Sequence, residues 1–377
     1  MVGVRAIGSA HQRYRIRSLK LQLYILRQLV QALAFGVVAI VVLAVPGVAV
    51  NAVHKLPAAD AGLLMAYLPT VLQTLAPYVL PLCFLLAVVA TYGRLAADRE
   101  WTAIQMAGFH PVKLLLPGFV LALVLSGVTW WLFAERVPHT KSNQRALIAR
   151  SLERTLSNLP PGRTTVEFHG FFLRGAWRDP RDPNFWHEVY LRRANESSEE
   201  RIDVFAERAH IRTEKGALVV DLEGVRALAP GAGLRTEQAY VRYSVPLEEL
   251  MDPPRIGDRP RPRYRTVSQI HKDLLVERDT EKRRGMSFEI HKRGSRSVVY
   301  LLFLLLGAPT GLILRRGNQL AALAVASGYG IGYYALSMSL GSELAGHTSL
   351  PVVLVAWGPT CLGVMASLPL LYRGLRR

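Results

Sequence analysis

No glycine in this chain is followed by lysine, and its 377 residues include only two cysteines. The first gap removes the Gly-x-x-x-x-Gly-Lys-[Ser/Thr] loop whose backbone amides cradle nucleotide phosphates, so P-loop ATP hydrolysis is not available to the chain alone. The second excludes a disulfide framework: Cys83 and Cys361 both lie in apolar runs, where they read as small fillers, and residues 94–296 contain no cysteine at all. Metal and hydrolase signatures are missing too. His187-Glu188 has no second histidine at position 191, so the zinc-protease helix motif fails. His169, His187 and His210 are scattered over predicted strands, and Glu343 and His347 share a loop as solvated groups. No catalytic residues, metal site or cofactor are expected. Acidic residues are scarce, 28 Asp and Glu against 46 Lys and Arg, for a formal charge of +18.

Charge is also missing locally, and in long stretches. Residues 28–53, 61–93, 114–134, 297–314 and 317–342 contain no Asp, Glu, Lys or Arg, and residues 344–372 are interrupted only by His347. A helix rising about 1.5 Å per residue needs roughly 20 apolar residues to cross the hydrocarbon core. Six transmembrane helices are the economical reading, with residues 61–69 of the longest run left as a loop before the second span. The first run is too long for the apolar core of a signal peptide and lacks a small-residue cleavage site, so it stays as a helix. Spans without ionisable groups argue against an ion-coupled transporter or proton pump. Gly328-Tyr329-Gly330-Ile331-Gly332 imitates a dinucleotide loop, but it sits mid-span with no strand before it. There Gly328 and Gly332 have the spacing that lets helices pack closely in lipid.

Short loops set the orientation. Arg5, Arg13, Arg15, Arg17, Lys20 and Arg27 precede the first span. Arg94, Arg99 and Lys113 lie between the second and third, Arg315 and Arg316 between the fourth and fifth, and Arg373, Arg376 and Arg377 follow the sixth. The opposite loops carry only Lys55. Excess Lys and Arg marks the cytoplasmic side, which puts both termini inside and the long middle segment outside. Lys292, Arg293 and Arg296 run against this rule, because they abut the fourth span from outside. Nucleic acid is excluded as a partner, since the spans cut the basic residues into separate groups.

The chain therefore divides into residues 1–135 (N-terminal segment and three spans), 136–296 (an extracytoplasmic domain) and 297–377 (three spans). In the middle segment, residues 136–158 extend the third span as a helix until Leu159-Pro160-Pro161-Gly162. Seven short stretches of β character follow: 164–168, 171–177, 185–192, 202–206, 209–213, 217–222 and 239–245. Turn clusters such as Asp179–Pro183 and Pro230–Gly233 separate them, a pattern that predicts an all-β, jellyroll-like domain. A Pro- and Arg-rich linker, 252–265, leads into a predicted helix from Val267 to about Arg284.

The loop Arg94–Gly108 is the most informative segment. It reads as one amphipathic helix closed by glycine, with Ala97, Trp101 and Ile104 on one stripe and Arg94, Asp98 and Arg99 elsewhere. Such a helix either lies in the headgroups or fits a groove on a cytoplasmic motor protein.

Three segments together resemble the LptF/LptG (YjgP/YjgQ-type) permease family of the lipopolysaccharide ABC exporter. They are GRLAADREWTAIQMAGFHP, YILRQLVQALAF before the first span, and FEIHKRGSRSVVYLLFLLLGAPTGLILRRG around the fourth. The order of three spans, β-jellyroll and three spans extends the resemblance over essentially the whole chain. It implies an inner-membrane permease subunit that extracts lipopolysaccharide and passes it to a periplasmic bridge. The implied partners are a cytoplasmic ATPase dimer (LptB-like), a second LptF/LptG-type permease and bridge proteins (LptC/LptA-like). By position it assigns Asp98, Arg99, Glu100, Trp101 and Ile104 to the ATPase contact, and Arg136, Lys292, Arg293 and Arg296 to lipid headgroups. The basic residues 1–20 are outside the pattern. A permease for another anionic lipid or a lipoprotein, and a membrane-bound lipid-modifying enzyme, are the alternatives at this point.

Overall fold

The computed structural model describes residues 2–55, 61–141, 143–144, 147, 164–168, 171–178, 185–194, 201–214, 217–229, 234–246, 265–314, 319–347 and 350–375. Chain contacts separate two compact units. One comprises Met1–Gly47, Leu72–Thr140 and Pro262–Arg377; the other comprises Val48–Val71 and Lys141–Arg261. The turn clusters at 179–183 and 230–233, the Leu159–Gly162 helix stop, most of the 252–265 linker, and Arg315, Arg316, Arg376 and Arg377 lie outside the described residues.

The described helices are α1 (Val2–Lys55), α2 (Ala61–Ala97), α3 (Glu100–Met106), α4 (Pro111–Trp131), α5 (Val267–Val276), α6 (Thr280–Ser297), α7 (Val299–Ile313), α8 (Gln319–His347) and α9 (Val352–Leu375). Five helical stretches are long and apolar enough to cross a membrane: Ser18–Ala52, Ala61–Ala97, Pro111–Lys141, Thr280–Ile313 and Val352–Gly374. The fifth expected span, absent from those five, coincides with α8, which is helical over 29 residues. Its glycines and tyrosines, Gly328 to Tyr334, dilute its apolar character.

The first unit is built around α7, which is buried on nearly every side. Val299, Tyr300, Leu302, Phe303 and Leu304 are almost fully excluded from solvent, packed with Phe84, Leu85, Val88 and Tyr92 of α2 and with Ile25 and Leu29 of α1. A helix that is apolar all round belongs at such a centre. Small residues set how closely its neighbours approach. A Cβ added at Gly311 would lie 2.7 Å from the Val89 carbonyl oxygen and 2.8 Å from the Gly93 nitrogen, so here α7 and α2 meet backbone to backbone. On α8, Gly330 packs against Leu82 of α2, while Gly328 and Gly332, the expected close-packing pair, have no neighbour within 4 Å among the described residues of this chain.

Two helix boundaries differ from expectation. The fourth span does not begin at Ser297, because α6 continues helical structure back to Thr280 with only a single-residue turn at Val298. The predicted helix 267–284 is two helices: α5 ends at Val276, and Asp279 caps α6 by accepting from the Glu281 amide. A short acidic side chain at that position starts a new helix more readily than it continues an old one.

In the second unit, residues 61–71 are helical, so the loop expected over 61–69 is instead the start of α2. Tyr67 and Ala52 are buried together with Leu64, Val71 and Leu147, so this stretch has an apolar face and something to pack it on. Six antiparallel strands pair in chain order: β1 (Thr164–Phe168), β2 (Phe171–Arg178), β3 (Phe185–Ala194), β4 (Arg201–Glu214), β5 (Ala217–Ala229) and β6 (Leu234–Pro246). Six rather than seven strands form because 202–206 and 209–213 are one strand, with Glu207-Arg208 inside it. One sheet face buries Trp186, Val189, Leu191, Ala206, Ala209, Val220, Leu222 and Val225. Trp186 lies flat across Gly175 of β2, where any Cβ would sit 2.4 Å from the ring. On the other face, Asp221 accepts from Tyr240 (2.8 Å) and Arg242 (2.6 Å), and the Tyr190 and Phe205 rings meet at 4.7 Å, tilted by 43°.

A crease crosses the sheet. Successive pairings pass over Ala176, Glu188, Glu207, Gly224 and Ala239, one residue in each of β2 to β6, along a single line. Glu188 and Gly224 take left-handed backbone there, φ 51° and 64°. Such irregularities bend strands and sharpen twist. The Glu207–Arg208 dipeptide looks like a turn in sequence because it marks a bend that the strand survives.

Candidate functional site

Two regions gather the residues singled out by sequence. At the first, α2 ends at Ala97, and the chain reverses through Asp98 and Arg99 before the seven-residue α3. The expected single helix over 94–108 is therefore a helix end, a tight turn and a short helix. Arg99 sits at φ 61°, a left-handed conformation uncommon for a residue with a side chain. α3 closes as anticipated on Gly108, φ 87°: the Gly108 amide reaches Gln105 O (2.9 Å) and the Phe109 amide reaches Ile104 O (3.3 Å). This pair of bonds is the Schellman closure. His110 then caps α4 by accepting from the Val112 amide, with Pro111 in the first helical position.

The five residues of this segment do different things. Trp101 is buried, its ring edge-on to Tyr92 at 6.2 Å, and Ile104 packs partly against the same core. Tyr92 in turn donates to the Leu114 carbonyl (3.0 Å), tying α2 to α4. These side chains fasten the loop to the bundle. Asp98 and Arg99 are exposed, as are Thr102, Ala103 and Met106. Glu100 is half-buried and accepts from the Tyr24 hydroxyl of α1 at 3.2 Å. The result is a short, anchored element that presents a mixed polar and apolar outer surface.

At the second region, α4 passes into a π-helical turn, Leu132–Arg136, before helical backbone resumes to Lys141. Pro138 explains it. A proline ring collides with the carbonyl four residues back and offers no amide, so the helix widens by one residue. Trp131 and Arg136, five apart, consequently share a face, and the Arg136 guanidinium stacks over the Trp131 ring at 5.2 Å. Both are exposed.

The three α6 cations are placed differently. Arg293 is only 4% exposed; it donates to Glu289 (3.2 Å), to the Phe133 carbonyl (3.1 Å) and to the Arg265 carbonyl (2.9 Å). Lys292 donates to the same Glu289 and lies 5.4 Å over the Phe288 ring. Arg296, also buried, reaches Ser337 of α8 (3.4 Å) and Tyr78 of α2 (3.5 Å), and lies 5.7 Å over the Tyr78 ring. Glu289, absent from the sequence-based set, governs two of the three. The spacing Glu289, Lys292, Arg293 puts all three on one helix face, which is the signal that marks it. Among the described residues no cluster of His, Cys, Asp or Glu could hold a metal.

Membrane-crossing helices with an inserted antiparallel β unit define a multi-pass membrane protein. A family model described as the lipopolysaccharide export system permease LptF/LptG matches residues 23–373, and the chain belongs to that family. It is a permease subunit of lipopolysaccharide export and not an enzyme. No curated protein matches the chain.

Proposed function

We propose that the chain forms one half of a permease pair in the inner membrane of a Gram-negative-type bacterium. Six spans (α8 included) place both termini in the cytoplasm and residues 136–296, the domain between spans three and four, in the periplasm. A cytoplasmic ATPase dimer docks on the Asp98–Met106 turn and helix, and lipopolysaccharide moves from the membrane to the β domain and on to periplasmic bridge proteins. The observation that carries this reading is the construction of the α3 loop. Trp101 and Ile104 fix it to the bundle core, so a push on its exposed surface reaches α2 and α4 without being absorbed by a floppy connection. The Lys/Arg asymmetry of the loops supports the orientation. The sheet's crease and its one buried apolar face support a strongly curled, jellyroll-like β domain.

Of the four cations assigned to headgroups, Arg136 is the best placed. It is exposed, its guanidinium lies over the Trp131 ring, and a planar fork suits a phosphate. Lys292 stands beside it in the scheme with Glu289 as its resting partner. The test of the coupling half is Glu100→Lys. The variant should insert and fold, since Glu100 sits at the edge of the core, yet fail to support ATP-driven lipid release because a contact now carries the wrong charge. Normal release and normal ATPase binding by Glu100→Lys would mean that the loop only lies on the membrane surface.

A further inference from the structure

The π-helical turn leaves a backbone group unpaired, and one buried side chain takes it. The Val137 amide reaches Leu132 O, and the next possible donor, residue 138, is proline. Phe133 O thus has no helical donor at either the fourth or the fifth following position. Arg293 supplies one from α6, at 3.1 Å, and with the same nitrogen donates to Arg265 O at 2.9 Å. Its Nε is held by Glu289, one turn back on its own helix, so the fork is fixed in direction. Residues 133 and 265 are not arbitrary points. The chain passes between the units four times, and the two crossings that flank the strands leave the first unit at Thr140 and return to it at Pro262. Phe133 lies seven residues before the departure and Arg265 three after the return.

We propose that Arg293 is a positioning residue for transport. It clamps two of the four chain crossings, those that flank the β strands, to one point on α6, so that both of these move with α6 and α7. The proposal rests on the permease reading above. Its mechanical basis continues down α7, whose Gly311 touches the α2 backbone at Gly93, next to the Arg94–Gly108 loop. A displacement at the ATPase-facing loop then has a rigid route to both crossings. This gives Arg293 a role distinct from headgroup contact: its Nε and Nη1 donate to a carboxylate and two carbonyls, and it is buried.

Pro138 makes the idea testable, because it creates the carbonyl that Arg293 satisfies. Arg293→Ala and Arg293→Lys are compared with Pro138→Ala and with the double variant Arg293→Ala/Pro138→Ala, each in the full complex with partner permease and ATPase reconstituted in lipopolysaccharide-containing liposomes. Three quantities are read: lipopolysaccharide bound before ATP, ATP hydrolysis, and ATP-dependent transfer to the β domain by crosslinking. For Arg293→Ala the expected result is unchanged binding and persisting hydrolysis, with transfer reduced about tenfold, the scale of one lost charge-assisted bond. Arg293→Lys, a point charge without the fork, should fall between. Adding Pro138→Ala restores a helical amide for Phe133 O but not the tie to α6, so the double variant should regain stability while transfer stays low. Equal transfer in wild type and Arg293→Ala overturns the clamp, as does full recovery of transfer in the double variant, which would trace the defect to the unpaired carbonyl alone, and as does loss of lipid binding in Arg293→Ala, which would make Arg293 a headgroup ligand. Absence of transfer by the wild-type complex would instead overturn the permease reading on which the clamp depends.

Discussion

Gly311→Ala is a small change that should be felt far beyond its size. The added methyl would sit 2.7 Å from Val89 O and 2.8 Å from Gly93 N, both backbone atoms of α2. Neither can rotate away, so α2 and α7 must separate by roughly 0.7 Å to reach ordinary contact, in a core packed at crystal-like density. Overpacking of this kind typically costs about 1–3 kcal/mol. Gly118→Ala is the control: its methyl would also meet an atom at 2.7 Å, but that atom is the end of the Leu304 side chain, which can change rotamer. Gly328→Ala and Gly332→Ala meet nothing within 4 Å and should leave the chain's own stability unchanged, or raise it slightly through helix propensity. Thermal unfolding of the four variants in one detergent gives the ranking. Gly311→Ala should melt lowest, Gly118→Ala next, and the two α8 variants should match wild type. A Gly311→Ala protein as stable as wild type would refute the backbone contact and, with it, the rigid route from α2 to α7.

Trp101→Ala removes a buried ring that fastens α3 and should destabilise by about 3–5 kcal/mol, lowering the melting temperature and releasing the loop to protease. Trp101→Phe should be much milder, because the indole nitrogen has no hydrogen-bond partner to lose. If both variants behave alike, packing is not what Trp101 contributes. Orientation is checked by single cysteines in a Cys83→Ala/Cys361→Ala background. One placed at Gly231 should react with an impermeant reagent added to intact spheroplasts, and one at Asp98 should not. The reverse labelling would invert the topology.

The membrane spans are legible in sequence because lipid tolerates no unpaired charge, and an absence of charge over 20 residues is hard to mistake. The β stretches are legible by alternation, and β1 is predicted to the residue. What escapes is decided by contacts between distant segments. Residues 61–69 look like a loop until Ala52 and Leu147 are there to cover Tyr67. Glu207-Arg208 looks like a turn because a crease and a turn draw on the same residue types. Gly330, not Gly328 or Gly332, packs on α2, since spacing gives a stripe but not which way it faces. The cations of α6 show the same limit. Sequence places Arg293 near the outer end of a span, whereas its burial follows from Pro138, more than 150 residues earlier. Of the assigned site residues, Asp98, Arg99 and Arg136 stand exposed, while Trp101, Arg293 and Arg296 are turned into the protein.

The central claim is that lipopolysaccharide phosphates meet this chain at Arg136 and leave when ATP is consumed. Photocrosslinking from position 136 in the reconstituted complex tests it most directly, with Arg136→Lys and Arg136→Glu measured alongside for transport. The account predicts efficient crosslinks to lipopolysaccharide that fall on ATP turnover, a partial transport defect for Arg136→Lys and a severe one for Arg136→Glu. Crosslinks to bulk phospholipid alone, unchanged by ATP, with Arg136→Lys fully active, would contradict it.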